Sequence, residues 1–204
     1  MRLYVSPRAP NPRRVTMFMA AKGIDGIEQV EVDLNAGAHR SAEFTALNPL
    51  SRVPVLVLDD GRALSETRAI CTYLEGLYPE PNLMGVDSTE RAFIEMADRR
   101  IELHLMLETA LCVRHTHPGL AVLEQPQFPD FGAAQGQKMR ATARWLDGEL
   151  GRQPYVAGDR FTIADITAFC AIEFARGLLK FRPGQEGMPH LQAWRDRIAS
   201  QYKA

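Results

Sequence analysis

Hydrophobic and polar positions along this chain alternate between a repeat of two and a repeat of roughly 3.6, and each switch marks an element. Within residues 2–6, Leu3 and Val5 lie on one side and Tyr4 on the other, as in a strand with two covered faces. Val15, Phe18 and Met19 then form a helical stripe closed by Gly23. Asn11 is expected as its cap and Pro12 as its first residue, since a missing N–H and a fixed φ suit that position. Val30, Val32 and Leu34 alternate with charged residues and predict a half-exposed second strand. The apolar run Val55, Leu56, Val57, Leu58 stands between Pro54 and the turn pair Asp60–Gly61, which predicts a buried strand entering a hairpin; Ala63 and Leu64 begin its return. Ser65 is expected to cap a helix starting near Glu66, with Ile70, Tyr73, Leu74 and Leu77 as its buried stripe.

Beyond residue 78 the pattern changes. Residues 78–88 hold two prolines, a glycine and little periodicity, and residues 81–88 are expected to link two domains, 1–80 and 89–204. Past them no strand signal remains. Phe93, Met96, Ala97, Ile101, His104, Leu105, Leu111 and Cys112 predict one helix of roughly 25 residues. Met139, Trp145, Leu146 and Leu150 predict a second over about 133–150, and Leu191, Trp194 and Ile198 a last one over about 190–202. Between these, Thr162 and Asp165 form a capping box with Phe161 placed to staple onto Ile166. The predicted class is α/β followed by all-α: a thioredoxin-like N-terminal domain of strand, helix, strand, hairpin and helix, then an all-helical C-terminal domain.

Composition narrows the function. With 24 basic and 25 acidic residues the net charge is −1, which gives no electrostatic footprint for nucleic acid or an anionic membrane. No basic, apolar leader and no membrane-length apolar run occurs, so a cytoplasmic protein is expected. Cys71, Cys112 and Cys170 are few and widely spaced, as reduced thiols are, with Cys71 and Cys170 in apolar helical patterns. His115 and His117, two residues apart, do not face each other on a helix, and no cysteine or carboxylate completes a set, so no metal is expected.

Two features carry chemistry. A helix beginning near Ser65–Thr67 offers unpaired amides and a positive dipole end to an anion. Pro54, inside an apolar strand, cannot donate to a ladder, and a cis Val53–Pro54 bond there would turn the Val53 amide and carbonyl towards another extended backbone.

The run N-P-L-S-R-V-P-V-L (Asn48–Leu56), followed by L-S-E-T-R-A-I (Leu64–Ile70), Tyr73 and Leu74, resembles the glutathione-binding half of the cytosolic glutathione S-transferases (GST). F-T-I-A-D-I (Phe161–Ile166) is similar to the buried capping motif of their helical domain, so the resemblance spans the chain. It is strongest to serine- or asparagine-type members of theta, phi or nu kind, including bacterial ones. It implies the GST fold, glutathione as co-substrate, a small electrophile as second substrate and a homodimer. Carried over, Val53 and Pro54 meet the cysteinyl unit, and Glu66 and Thr67 hold the γ-glutamyl end. His39 and Arg40 lie near the glycyl carboxylate, for which arginine's planar fork is suited.

The family's thiol-activating hydroxyl follows the pattern S-P-x-x-x-R-V. Aligning Arg14–Val15 puts Ala9 in that place, which departs from the pattern, and residues 1–70 hold no cysteine to replace it. Asn11, whose amide can donate to a thiolate, is the first substitute, as in bacterial members with a T-P-N-G loop; Ser6, at the end of the first strand, is the second. The second substrate is expected near Met106, Leu107, Leu111 and Arg114. Three functions follow: conjugation of glutathione to small hydrophobic electrophiles, glutathione-dependent disulfide or peroxide reduction, and a non-catalytic binding or scaffold role.

Overall fold

The structure is a computed structural model that describes residues 1–202. The chain divides into two compact units, Met1–Asn82 and Leu83–Ala204.

In the first unit, β1 (Arg2–Val5), β2 (Glu28–Glu31), β3 (Val55–Val57) and β4 (Ala63–Ser65) form one sheet in the order β2-β1-β3-β4. The β1–β2 pair is parallel and is joined through α1 (Pro10–Ala21), while β1–β3 and β3–β4 are antiparallel. All three residues of β3 are buried, which explains an apolar run where β1 alternates. On one face Val32, Phe44, Val55 and Val57 cluster with Tyr4, Leu34, Leu47 and Val53. Leu3 and its partner Leu56 point to the other side, where α1 packs against β1 and α3 (Thr67–Leu77). A short α2 (Ala42–Leu47), capped by the Ser41 hydroxyl, supplies Phe44. Lys22, at the end of α1, donates to Glu75 Oε2 at 2.7 Å and to the Pro81 carbonyl at 2.6 Å, fastening α1 to the end of α3.

Two caps differ from expectation. The first residue of α1 is Pro10 and its cap is Ala9, so Asn11 lies inside the first turn. Both prolines suit a first turn, and the helix takes the earlier one. Ser65 ends β4 instead of capping α3; the cap is Glu66, with φ 71° and no side-chain cap bond.

The second unit is helical, with a single isolated bridge, Tyr155 to Gly158, outside its helices among the described residues. Its first helix runs as α4 (Ser88–Ile101), a π-helical segment (Glu102–Met106) and α5 (Leu107–Thr116). The stretch expected as linker contributes Leu83 and Met84 to this unit's core, and the Leu83 carbonyl accepts from the Ile163 amide at 3.0 Å. At the contact between α5 and α6 (Pro129–Leu150), Gly132 and Gly136 are packed so closely that a Cβ on Gly136 would stand 2.9 Å from Cys112 Sγ.

At the centre, α7 (Ile163–Leu178) is buried almost all round its first three turns. It is anchored by polar bonds to neighbouring segments. Thr167 donates to the fully buried Asp98 at 2.6 Å. Asp165 accepts from the amides of Val156 and Thr162, from the Thr162 hydroxyl, and from Trp194 Nε1 on α8 (Pro189–Gln201). The Phe161 ring, expected to staple onto Ile166, stacks on Tyr202 at 4.8 Å between centroids. Cys71, Cys112 and Cys170 are all buried, and none of them is in a disulfide.

Candidate active site

The candidate residues of the first unit come from three pieces of chain that the sheet holds together. The β3–β4 register pairs Val55 with Ser65, which brings Pro54 to the level of Glu66 and the start of α3. The loop before Pro54 is shaped by the buried Asn48, whose Nδ2 donates to the Arg52 carbonyl at 2.8 Å and whose Oδ1 accepts from the Leu50 amide at 3.0 Å. The Val53–Pro54 bond is cis, as expected. Among the described residues the Val53 amide and carbonyl take no backbone partner.

Glu66 is exposed, and its positive φ is uncommon for a residue with a Cβ. Such backbone persists where its surroundings over-determine it, typically at sites of binding. Thr67, the first residue of α3, is buried and donates its hydroxyl to the Asn11 carbonyl at 3.4 Å. The first turns of α1 and α3 are thus tied, and the positive ends of two helix dipoles meet there.

Asn11 itself is exposed. Its Oδ1 accepts from Arg14 Nη1 at 3.3 Å, and its side-chain NH2 has no hydrogen-bond partner among the described residues. The carbonyl expected to cap first-turn amides is therefore held by an arginine one turn on. Arg14 is only 2% exposed. Sequence reading passed over it and over Asn48, because arginine and asparagine are ordinarily surface residues; the Arg14–Val15 and Asn48–Pro49 signatures were the available signals. Ser6 is buried at the end of β1, and its carbonyl accepts from the Ala9 amide at 3.0 Å, which closes the turn into α1.

His39 and Arg40 end a 3-10 turn (Ala38–Arg40) and are split by it: His39 is buried, Arg40 exposed. Burial, with Arg40 and Arg52 nearby, pulls the His39 pKa below the usual imidazole value, so the ring is neutral at neutral pH. Arg40 then carries the available positive charge. In the second unit, Met106 is buried in the π-helical segment, Leu107 is 46% exposed, and Leu111 and Arg114 are half-buried. Arg114 forms an ion pair with Glu124 at 3.2 Å. Among the described residues no group of three or more His, Cys, Asp or Glu is placed to hold a metal ion.

A four-stranded mixed sheet with a cis-proline beside two converging helix starts, followed by an all-helical unit, defines a thioredoxin-like domain joined to a helical one. Comparison with known proteins makes the class specific. The family model for the glutathione S-transferase N-terminal domain matches residues 9–77, and that for the C-terminal domain matches residues 112–197. Glutathione S-transferase 2 of Saccharomyces cerevisiae is 35% identical over 200 residues, covering 97% of this chain and 85% of the relative. A maleylacetoacetate isomerase of Pseudomonas aeruginosa is 40% identical over 175 residues, covering 81% and 77%. The crystal structure of a glutathione S-transferase domain-containing protein of Marinobacter aquaeolei superposes with a TM-score of 0.92 at 40% identity, covering 98% of this chain and 97% of that one. The chain belongs to the glutathione S-transferase family and is a glutathione transferase, with glutathione as its co-substrate.

Proposed function

We propose that the first unit holds glutathione and that its sulfur is transferred to small hydrophobic electrophiles, with the Asn11 side-chain NH2 donating to the thiolate. The observation that carries this reading is the meeting of the α1 and α3 first turns at Asn11 and Thr67, which favours negative charge where Asn11 presents a donor. An asparagine amide cannot take a proton, so the thiol proton leaves to water, and the thiolate forms the carbon–sulfur bond as the leaving group departs with its electron pair. Ser6 is the alternative donor; its hydroxyl makes no hydrogen bond among the described residues.

The rest of the tripeptide is assigned by chemistry. The open Val53 backbone pairs with the cysteinyl unit, and the Glu66 carboxylate and the Thr67 end of α3 receive the γ-glutamyl ammonium and carboxylate. Arg40 takes the glycyl carboxylate beside the neutral His39. Met106, Leu107, Leu111 and Arg114 are the proposed contacts of the electrophile. Phe93, Met96 and Leu103 are all exposed and fall on one face of α4 and the π-helical segment after it, and a homodimer through that stripe would cover them. Three buried reduced thiols and the absence of any helix long and apolar enough to cross a membrane, among the described residues, agree with a cytoplasmic location.

Isomerisation of maleylacetoacetate is a second reading, favoured by the 40% identity to an isomerase of that name. Turnover of chlorodinitrobenzene, of maleylacetoacetate and of hydroxyethyl disulfide, measured side by side, separates conjugation, isomerisation and disulfide reduction. Glutathione that fails to bind by calorimetry would overturn all three. For the donor, Asn11→Ala is expected to raise the pKa of the bound thiol by about one unit, worth about 1.4 kcal/mol, with little loss of affinity. An unchanged thiolate absorbance titration would clear Asn11 of the role.

A further inference from the structure

The second unit contains an open cavity of about 580 Å³ lined by His115, Phe128, Pro129, Asp130 and Phe131. It lies where the end of α5 faces the start of α6, so its floor and walls come from one helix–helix corner.

His115 is 7% exposed and forms the floor. Its Nδ1 accepts from the Phe128 amide at 3.1 Å, which places the proton of the neutral ring on Nε2. That N–H has no partner among the described residues. Two rings flank the imidazole, Phe131 edge-on at 5.1 Å and Phe128 tilted at 5.9 Å, yet they are 43% and 56% exposed. Large rings half in water beside the His115 N–H form a slot with apolar sides and a polar floor.

The start of α6 adds positive potential to that slot. The cap, Phe128, supplies no side-chain bond, Pro129 has no N–H, and the first amide with an acceptor is that of Gly132, which donates to the Phe128 carbonyl at 3.0 Å. The amides of Asp130 and Phe131 therefore have no acceptor among the described residues, at the positive end of a 22-residue helix.

We propose that this cavity binds a planar aromatic anion, an arene carboxylate, with its ring between Phe128 and Phe131 and its charged group against His115 Nε2–H and the free amides of α6. A neutral arene would satisfy the rings and leave those donors bare, while a small inorganic anion would satisfy the donors and leave the rings in water. The Asp130 carboxylate at the rim opposes the anion, so the site is weaker than its donors alone would make it.

The test uses 2-naphthoate with the full chain, compared with its neutral isostere 2-naphthamide, followed by amide NMR. Saturable shifts are expected at the Asp130 and Phe131 amides, with naphthoate favoured over naphthamide by about tenfold, a difference of roughly 1.4 kcal/mol. Phe131→Ala is expected to weaken naphthoate by about tenfold, and Asp130→Asn to tighten it severalfold by removing a like charge. Both residues are exposed, so both variants keep the fold. Glutathione affinity, measured on the same samples, is expected to be unchanged, which keeps this proposal separable from the thiol site. Shifts confined to other residues, equal binding of naphthamide, or indifference to Asp130→Asn would each overturn it.

Discussion

The Thr67 hydroxyl donates to the Asn11 backbone carbonyl across 3.4 Å, and this bond ties the first turn of α3 to the first turn of α1. The two residues are 56 positions apart in the chain. Each belongs to a helix start, so their separation sets how closely the positive ends of the two dipoles approach one point.

Thr67→Val removes the donor at constant shape and leaves the Asn11 carbonyl without it. The expected result is a severalfold rise in KM for glutathione, on the scale of one lost hydrogen bond of about 1 kcal/mol, with Thr67→Ser restoring it. Equal KM values for the valine and serine variants would reduce the bond to a packing detail.

Glu66 stores strain, holding φ at 71° where a Cβ is disfavoured. Glu66→Gly relieves this at a cost of about 1–3 kcal/mol in the parent and is expected to raise the unfolding midpoint. Glu66→Ala keeps the strained backbone and gains nothing. Both variants lose the carboxylate, so both are expected to bind glutathione more weakly. A glycine variant that melts with the alanine one would show that the backbone there costs little.

Most of the architecture was legible because repeats of two and 3.6 survive in the sequence wherever one face of an element is buried. The alternation through Leu3 and Val5 and the stripe through Ile70 and Leu74 are of this kind. The site was less so, for three local reasons. Glu66 takes a left-handed conformation that nothing in its side chain announces, and the helix start moved one residue with it. Pro10 and Pro12 both fit a first turn, so the sequence could not choose between them, and Asn11 changed from cap to first-turn residue. Arg14, a charged residue, is 2% exposed and donates to Asn11 one turn back, a relation no periodicity encodes.

Gly136 sets how closely α6 approaches α5. A Cβ there would lie 2.9 Å from Cys112 Sγ, so Gly136→Ala is expected to destabilise by about 1–3 kcal/mol through overpacking. Cys112→Ala removes the obstructing sulfur, and in that background the same change should cost much less. Urea titration of the four proteins gives the coupling directly. Additive effects would mean that the helices move apart without loss.

Asp165 sets a pH dependence of stability. Burial lifts its carboxyl from 3.8 to about 6, against four donors that favour the anion. Because the folded value lies above the unfolded one, the folded chain holds the extra proton between them. Its stabilising contribution is full below 3.8 and is lost as pH rises through about 6. The change is on the order of 3 kcal/mol across that window. Asp165→Asn cannot titrate, so unfolding free energies of parent and variant, measured from about pH 4 to pH 7 to span both values, should converge or cross as the parent weakens. Trp194, whose indole N–H donates to Asp165 at 3.0 Å, reports the same step, since its emission should shift with the carboxyl's ionisation in the folded chain. Parallel stability profiles with unshifted Trp194 emission would mean that the four donors outweigh burial and that the carboxylate is charged throughout.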